Sequence, residues 1–380
     1  MPDGHPRIFH FITRLLKGGA EAKTIATVTD LDGYEFTVGH GAEYDSEQVN
    51  RLERTGVETV CFPLVRHYNP LTALPAVLSL AQYLRREQFD IVHTHSTEAG
   101  IIGRFAAAIA DIPHVVHTVH GVPFADDRHH TLNRFVLGCE RRAAEHTDRI
   151  VTNADVIASD YLHRGIGSPD QYTTIYSGIQ LDVFENAGPA TDLPGSRPRV
   201  VMIGRLADGK GFNVLLDAAE DICDDDVSLC LVGDGPLYET LSSEVEARGL
   251  DESVFLTGYR DDIPNVLAAS DVLVLPSFRE GTPRVITEAM ASGLPVIATD
   301  IAGIPEQVAD SESGYLIPTG DPDTLADRLN ELLESPDLRT TMGRRGRERA
   351  QMFSVDTMLA KLDSLYQGLL SKSATDRLTR

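Results

Sequence analysis

Short runs of β-branched and apolar residues alternate with helical segments along almost the whole chain. In the first half these runs lie at 7–12, 35–40, 57–64, 90–95, 114–120, 149–154 and 172–179. In the second half they lie at 199–204, 227–233, 254–259, 272–277, 295–300 and 314–318. Runs that are apolar throughout and are separated by helices are typical of parallel strands covered on both faces. The sequence therefore predicts an α/β fold with doubly wound parallel sheets.

A stretch rich in Gly, Pro and small polar residues separates the two series at 185–198, and this composition is typical of a linker. We therefore predict a first domain at 1–184 and a second domain at 199–353. A helical segment follows at 354–380. Ligands of such sheets bind outside the carboxyl ends of the strands, so functional residues are expected in the loops that follow strands.

The charge of the chain excludes one class of partner. The 380 residues include 57 Asp and Glu against 34 Lys and Arg, and the formal net charge is −23. An acidic surface repels phosphates, so nucleic-acid binding is not expected. Such an excess is typical of a chain from a salt-rich cytoplasm, with an ordinary acidic enzyme as the alternative. Residues 1–180 hold 16 basic and 22 acidic residues, whereas 181–380 hold 18 and 35, so the first half is the better candidate to face an anionic partner.

The sequence also predicts a compartment. No apolar run reaches the roughly 18 residues that a membrane span needs, and the amino-terminal segment lacks the apolar core of a signal peptide. The cysteines form no CxxC pair, so neither a zinc site nor a disulfide framework is expected. These features predict a cytoplasmic protein.

The first candidate site residues are Gly18 and Gly19, which follow the predicted strand at 7–12 and precede a helical segment. Adjacent glycines let a ligand approach the backbone closely, and a helix N-terminus favours an anion. A tight turn without a ligand is the alternative. No GxGxxG pattern is present, which disfavours dinucleotide binding.

Two cations lie in the glycine-rich segment 203–212, directly after the first predicted strand of the second domain. They are Arg205 and Lys210. The planar fork of an arginine and the point charge of a lysine together suit a diphosphate. No Walker pattern is present, which disfavours ATPase chemistry. The alternative is that both side chains are solvated in a surface loop.

Two glutamates follow the predicted strand at 272–277. Glu280 lies in the loop, and Glu288 lies one to two turns inside the next helix. Thr282 is predicted as the N-cap of that helix, with Pro283 as its first residue. A helix N-terminus attracts phosphate, and carboxylates accept hydrogen bonds from sugar hydroxyls. The alternatives are a helix-dipole partner for Glu280 and a surface charge for Glu288, but the surrounding glycines and prolines favour a ligand site.

With these motifs, the chain resembles the retaining glycosyltransferases of family 4, which have the GT-B fold. The resemblance covers roughly residues 7–370. It rests on four motifs in the family's order and spacing: Glu280-x7-Glu288, the segment 204–211, VGDGP at 232–236 and GGAE at 18–21. Two further segments, 93–108 and 117–124, resemble the subgroup that acts on surface glycans. The resemblance implies two Rossmann-like doubly wound parallel-sheet domains that face each other across a cleft, with a terminal helix that crosses back to the first domain.

The resemblance also implies a nucleotide-sugar donor site. Arg205 and Lys210 would neutralise the donor diphosphate. Glu288 would bind the ribose hydroxyls, and Glu280 would hold hydroxyls of the donor sugar. The backbone that would orient sugar and phosphate is that of Gly281, Thr282, Pro283 and Arg284. The residues that would line the nucleotide base are Tyr259, Arg260 and Ile263.

The first domain would contribute two parts. The loop at Gly18 and Gly19 would close on the phosphate, and His120 would lie near the transferred sugar as a catalytic residue beside Arg205, Lys210 and Glu280. No metal or cofactor is implied, because Arg205 and Lys210 can neutralise the leaving group. His93 and His95 share one strand face, but no Glu or Cys completes a ligand set at the expected spacing.

Segment 124–142 carries arginines interleaved with apolar residues. It is interpreted either as an amphipathic element that touches anionic lipid or a lipid-linked acceptor, or as a helix packed on the first domain with a solvated basic face.

These observations predict a retaining transferase that moves a hexose from a UDP- or GDP-sugar to a hydroxyl acceptor, which is a cell-surface glycan or a lipid-linked precursor. The predicted site is cytoplasmic, with contact at the inner face of the membrane left open. A nucleotide-sugar epimerase on the same scaffold is one alternative. A non-catalytic carbohydrate-binding relative is another. The donor sugar and the acceptor do not follow from the sequence, because the residues that select them are scattered along the chain.

Overall fold

The computed structural model describes residues 4–16, 18–62, 70–121, 124, 130–222 and 227–378. The chain divides into two compact units. The first unit comprises Met1–Gly178 together with Asp356–Arg380, and the second comprises Ile179–Val355. The predicted segment 124–142 falls partly outside the described residues.

The first unit is built on a seven-stranded sheet with the strand order β3-β2-β1-β4-β5-β6-β7, in which every pairing is parallel. The strands are β1 (Arg7–Ile12), β2 (Glu35–His40), β3 (Glu58–Cys61), β4 (Ile91–His95), β5 (His114–Val119), β6 (Arg149–Thr152) and β7 (Tyr172–Thr174). The helices between and after them are α1 (Gly19–Asp30), α2 (Ser46–Arg54), α3 (Pro70–Glu87), α4 (Thr97–Ile109), α5 (His130–Ala144) and α6 (Asp155–His163).

The second unit holds a six-stranded parallel sheet with the order β10-β9-β8-β11-β12-β13. Its strands are β8 (Arg199–Ile203), β9 (Ser228–Val232), β10 (Val254–Gly258), β11 (Val272–Leu275), β12 (Val296–Thr299) and β13 (Gly314–Ile317). Its helices are α7 (Asp182–Glu185), α8 (Phe212–Ala219), α9 (Tyr238–Arg248), α10 (Ile263–Ala268), α11 (Arg284–Ala291), α12 (Ile304–Gln307), α13 (Pro322–Glu334) and α14 (Pro336–Ala350). The predicted α/β class with doubly wound parallel sheets is confirmed.

The second sheet shows why its strands consist mainly of apolar residues. Successive residues of a strand point to opposite faces, so Val200 and Met202 pack in one core cluster while Val201 packs in another. The first cluster is closed by α8 and α13, and the second is closed by α11. Both faces are therefore buried under helices, and neither tolerates polar alternation.

The first sheet is covered in the same way, with one difference that concerns β1. Phe9 and Phe11 point to the face that packs on α3, where they meet Leu80 and Leu84. The residue between them, His10, points to the opposite face and is fully buried. That face is covered by the C-terminal helix α15 (Val355–Leu378), whose Tyr366 is also fully buried and packs its ring against His10.

The segment 185–198 packs on the second unit, and the boundary between the units falls earlier, after Gly178. Leu193 is buried in the cluster that contains Val201, and the Ala190 amide donates a hydrogen bond to the Asn265 carbonyl at 2.9 Å. The composition suggested a linker because Pro, Gly and Ser dominate it, but one buried leucine and backbone pairing are enough to dock an irregular segment.

Among the helices of the described residues, none has both the length and the apolar character required to cross a membrane.

Candidate functional site

The loop between β8 and α8 carries Arg205 and Lys210 at the carboxyl end of the second sheet. Gly209 and Gly211 both have positive φ, at 84° and 81°. A Cβ on Gly211 would lie 1.9 Å from the carbonyl oxygen of Pro276. The Phe278 amide also donates to the Gly209 carbonyl at 2.8 Å. The glycines therefore allow this loop to lie directly against the chain that leaves β11.

That close approach brings Lys210 to Glu280. The Lys210 Nζ atom lies 2.8 Å from Oε1 of Glu280, and the two side chains are 31% and 10% exposed. The Ser277 hydroxyl donates to the same carboxylate oxygen at 2.9 Å. Glu280 Oε2 makes no hydrogen bond to the described part of the chain, so it can accept one from a ligand hydroxyl. The ammonium keeps two further hydrogens for an anionic ligand.

Glu288 lies on α11, four residues after Arg284, and its carboxylate is 3.7 Å from the Arg284 Nε atom. Burial raises the pKa of Glu288 above its usual range, and the nearby Arg284 opposes that shift. The predicted N-cap at Thr282 is wrong: α11 begins at Arg284, and Pro283 is its N-cap. The reason is the extended backbone of Pro283, whose ψ is 122°.

The N-terminus of α11 is held by α12. The Gln307 amide nitrogen donates to the Pro283 carbonyl at 3.0 Å and to the Thr287 hydroxyl at 2.9 Å. In addition, the Gly303 amide donates to the Gly281 carbonyl at 2.9 Å. These contacts fix the loop that carries Glu280 before any ligand binds.

Arg205 is exposed, and its side chain forms no ion pair or hydrogen bond within the described residues. Its loop is set by the VGDGP motif. A Cβ on Gly233 would lie 1.9 Å from the Gly204 carbonyl oxygen, and one on Gly235 would lie 2.3 Å from that of Leu206. The motif therefore positions the Arg205 loop through backbone packing.

The residues of the β10–α10 loop differ in their exposure and in their contacts. Tyr259 is 76% exposed, and Ile263 packs partly against the core. The Arg260 guanidinium is held by two carboxylates, at 2.8 Å from Asp192 and 2.7 Å from Asp262. Arg260 thus ties segment 185–198 to this loop, and Tyr259 is the group with a free face. Contact with a nucleotide base stays a prediction for all three predicted base-lining residues.

In the first unit, Gly18 is the N-cap of α1. A Cβ at this position would lie 2.5 Å from Oε2 of Glu21, whereas nothing described lies within 4 Å of one on Gly19. Gly18 is therefore shaped by its own helix, and Gly19 is the position that is open to a ligand.

Lys23, on the same helix, is a buried cation that the sequence analysis did not single out. Its side chain is 4% exposed, and Nζ donates to the Ile175 carbonyl at 2.8 Å. Burial lowers the pKa of Lys23 to about 7.

A pH-dependent stability follows from Lys23. The unfolded chain keeps this proton up to about pH 10.5, so between about pH 7 and 10.5 the unfolded state binds more protons than the folded state. The free energy of unfolding therefore rises with pH in this window, by up to about 1.4 kcal/mol per pH unit. Urea unfolding followed by circular dichroism at pH 7, 8 and 9 should show this rise relative to Lys23→Met. Parallel profiles of the two proteins would contradict the lowered pKa.

His120 follows β5, is partly buried, and lies beside a group of fully buried histidines. Its Nε2 atom lies 3.1 Å from Nδ1 of His95, and His95 Nε2 lies 2.9 Å from Nδ1 of His10. Potential ligand atoms of His10, His93 and His95 all lie within 4.8 Å of one another. The sequence analysis missed His10 as the third member. The signal was present, because β1 and β4 are adjacent in a doubly wound sheet and His10 is paired in register with His93.

The structure thus brings Lys210, Glu280 and Ser277 together at the carboxyl ends of β8 and β11, with Glu288 on the helix that follows. Gly18, Gly19 and His120 lie in the first unit.

Comparison with known proteins identifies the family to which the chain belongs. The chain matches the family of glycosyl transferases group 1 over residues 184–349 and the glycosyl transferase 4-like domain over residues 13–178. It is 30% identical over 325 residues to the UDP-Gal:alpha-D-GlcNAc-diphosphoundecaprenol alpha-1,3-galactosyltransferase of Escherichia coli, covering 82% of each protein. It is 28% identical over 324 residues to the D-inositol 3-phosphate glycosyltransferase of Corynebacterium glutamicum, covering 78% of this chain and 77% of that one.

Among solved structures, a glycosyltransferase from Rickettsia africae superposes with a TM-score of 0.81 at 20% identity, covering 96% of this chain and 99% of that one. HepE from Anabaena, in complex with UDP, gives a TM-score of 0.80 at 23% identity, covering 95% and 100%. The fold is therefore the GT-B fold. The chain belongs to the group 1 glycosyltransferases, which is family 4, and the resemblance seen in the sequence is confirmed.

Proposed function

We propose that this glycosyltransferase moves a hexose from a UDP-sugar to a hydroxyl of a lipid-linked glycan precursor, with retention of the anomeric configuration. The observation that carries the proposal is the Lys210–Glu280 pair at the carboxyl ends of β8 and β11. It sets a cation for the diphosphate beside a carboxylate oxygen that can hold a sugar hydroxyl. The choice of UDP as the nucleotide of the donor is supported by the E. coli relative, whose name gives UDP-Gal as its donor.

In this proposal the protein acts mainly by electrostatics. Lys210 and Arg205 stabilise the negative charge that builds on the diphosphate as the bond from the anomeric carbon to the phosphate oxygen breaks. The acceptor oxygen bonds to the same face of that carbon, and its proton passes to the leaving phosphate. In this proposal no protein nucleophile takes part: Lys210 and Ser277 hold Oε1 of Glu280, and Oε2 accepts a hydrogen bond from a hydroxyl of the donor sugar. Glu288 accepts hydrogen bonds from the ribose hydroxyls, and no metal is required.

The acceptor class is supported by the lipid-linked sugar named for the E. coli relative. In α5, Arg134 and Phe135 are exposed while Val136 is buried. An exposed cation beside an exposed aromatic suits the headgroup region of an anionic membrane. We therefore place the reaction in the cytoplasm at the inner face of the membrane.

The test is a donor and acceptor panel with the purified protein in concentrated KCl, a choice that follows from the charge of −23. UDP-galactose, UDP-glucose, UDP-N-acetylglucosamine and GDP-mannose are each supplied with and without a synthetic N-acetylglucosamine diphospholipid. We expect UDP release that depends on the acceptor, and an α-linked product by the anomeric coupling in its NMR spectrum. A β-linked product would contradict retention. A changed nucleotide sugar without acceptor would instead identify an epimerase.

A further inference from the structure

An unbroken series of hydrogen bonds runs through the buried face of the first sheet to His120. It links Thr118 Oγ1 to His93 Nε2 at 2.7 Å, and His93 Nδ1 to the Tyr366 hydroxyl at 2.5 Å. The Tyr366 hydroxyl lies 3.3 Å from His10 Nε2. His10 Nδ1 then meets His95 Nε2 at 2.9 Å, and His95 Nδ1 meets His120 Nε2 at 3.1 Å. We call these six side chains the histidine relay.

Register explains why distant residues meet here. In parallel strands, paired residues point to the same face, and His10 pairs with His93 while His95 pairs with Thr118. Helix α15 covers that face and supplies Tyr366, the one member that is not on or directly after a strand. The relay therefore joins three strands and the last helix of the first unit.

The imidazoles of the relay are neutral. His10, His93 and His95 are at most 2% exposed, and burial lowers the pKa of His10 to about 3. Burial and the nearby Lys23 lower that of His120 to the same value. A neutral imidazole has one N–H and one lone pair. A ring that accepts a hydrogen bond at one nitrogen must donate at the other, so all links tend to point in the same direction along the series.

The buried end of the relay decides that direction. Thr118 is fully buried, and within the described residues its hydroxyl has one partner, His93. If His93 donated to Thr118, the threonine hydrogen would be buried without an acceptor, which is unfavourable. Thr118 therefore donates to His93, His93 to Tyr366, Tyr366 to His10, His10 to His95 and His95 to His120.

We propose that the relay holds all four histidines with their hydrogen on Nδ1, so that His120 is fixed as a neutral hydrogen-bond donor through Nδ1. His120 Nδ1 makes no hydrogen bond within the described residues, and the ring is only partly buried. If the proposed function holds, this Nδ1–H group donates a hydrogen bond to an oxygen atom of the sugar substrate. Thr118, His93, His10, His95 and Tyr366 are positioning residues, since they act through His120.

A metal ion held by His10, His93 and His95 is the competing use of this cluster, and the geometry disfavours it. Both nitrogens of His93 and of His95 are taken up by hydrogen bonds of the relay. The rings of His93 and His95 are also stacked, with centroids 4.4 Å apart and planes 24° from parallel. Ring lone pairs lie in the ring plane, so stacked rings do not converge on one ion.

The direct test is the tautomer of each histidine, read from long-range proton–nitrogen NMR correlations of protein labelled with 15N-histidine, with single His→Gln variants for assignment. We expect His10, His93, His95 and His120 to be Nδ1–H, which is the less populated tautomer of free histidine. An Nε2–H form of His120 in the native protein would overturn the proposal. A stoichiometric transition metal that survives chelation and is lost in His10→Gln would overturn it as well.

Two matched pairs of variants test the direction. Thr118→Val removes the terminal donor, and Tyr366→Phe removes the central hydroxyl. In both variants His120 should show a mixture of tautomers. Thr118→Ser keeps the hydroxyl, and in that variant His120 should keep the single tautomer. The control for the threonine is Thr152→Val, since Thr152 is also buried and lies on the neighbouring strand β6. The control for the tyrosine is Tyr34→Phe, since the Tyr34 hydroxyl donates to Asp363 on helix α15 at 2.6 Å. Neither control should change the tautomer of His120.

The activity readout separates this proposal from the proposed function. Tyr366→Phe should lower kcat about tenfold, the size of effect typical of groups that orient a functional side chain, with the KM for the nucleotide sugar nearly unchanged. Native Nδ1–H tautomers in a protein without transferase activity would support the relay and overturn the proposed function. Full transferase activity with His120 in the Nε2–H form would overturn the relay and leave the proposed function standing.

Discussion

Lys210→Met is expected to lower kcat/KM for the nucleotide sugar by at least about 100-fold, the usual cost of removing a group that stabilises transition-state charge. The substitution keeps most of the side-chain volume and removes the ammonium. It also leaves Glu280, which is 10% exposed, without its cation 2.8 Å away. The measurement is steady-state UDP release with acceptor, together with UDP binding by calorimetry. We expect UDP binding to weaken in parallel, because Lys210 is assigned to the diphosphate.

The control for lost charge is Lys361→Met. Lys361 is an exposed lysine on α15, and the chain has only five lysines in all. We expect its kcat/KM to stay within about twofold of the unchanged protein, as is usual for a surface charge. If Lys210→Met retained kcat/KM within threefold, the assignment of Lys210 to the diphosphate would be wrong, even if the donor panel gave product.

A double variant shows whether Lys210 and Glu280 act as a unit. Glu280→Gln keeps the shape of the side chain and removes its charge. Because the two groups are in direct contact, their effects on kcat/KM should not add. We expect Lys210→Met with Glu280→Gln to lose less than the product of the two single losses, since the double variant leaves no unpaired charge.

The strands were predictable from the sequence because the physics that forms them is local. Residues 200–203 of β8 are all apolar, and both faces of the strand are buried, so the pattern itself indicated a parallel sheet. The ends of helices depend on the backbone conformation of single residues. At Thr282 the local rule favoured a cap, but the extended ψ of Pro283 moved the first helical residue to Arg284.

The contacts of the site could not be read from the sequence in the same way. Lys210 and Glu280 are 70 residues apart, and they meet only because Gly211 lets one loop lie against the end of β11. The sequence did indicate both residues, as members of separate loops. Arg260 was assigned to a base-lining loop, and only the fold shows that two carboxylates hold its guanidinium.

The histidine relay shows the same limit more strongly. Strand alternation placed His93 and His95 on one face, which the structure bears out through their stacked rings. Tyr366 joins them from a helix 273 residues beyond His93, and no local pattern in α15 indicates which of its faces covers the sheet. Such contacts depend on how whole helices and strands pack together. A short segment of sequence does not indicate that packing.

Gly211→Ala is expected to destabilise the second unit by more than about 4 kcal/mol, a loss that single substitutions rarely reach. Two effects combine. The φ of 81° disfavours any residue with a Cβ, and that Cβ would lie 1.9 Å from the Pro276 carbonyl oxygen. Backbone lies on both sides of this contact, so no side-chain rotation relieves it. The loop must withdraw from β11, and the Lys210–Glu280 pair then separates.

Gly209→Ala is the matched control, because its φ of 84° is nearly the same while nothing described lies within 4 Å of the new Cβ. It should cost only the conformational penalty of a left-handed alanine, about 1–2 kcal/mol. Urea unfolding monitored by circular dichroism compares the two variants, and proteolysis assigns the loss to the second unit. Equal destabilisation by the two alanines would mean that backbone conformation alone sets the cost. In that case the packing of this loop on β11 would not be what holds Lys210 beside Glu280.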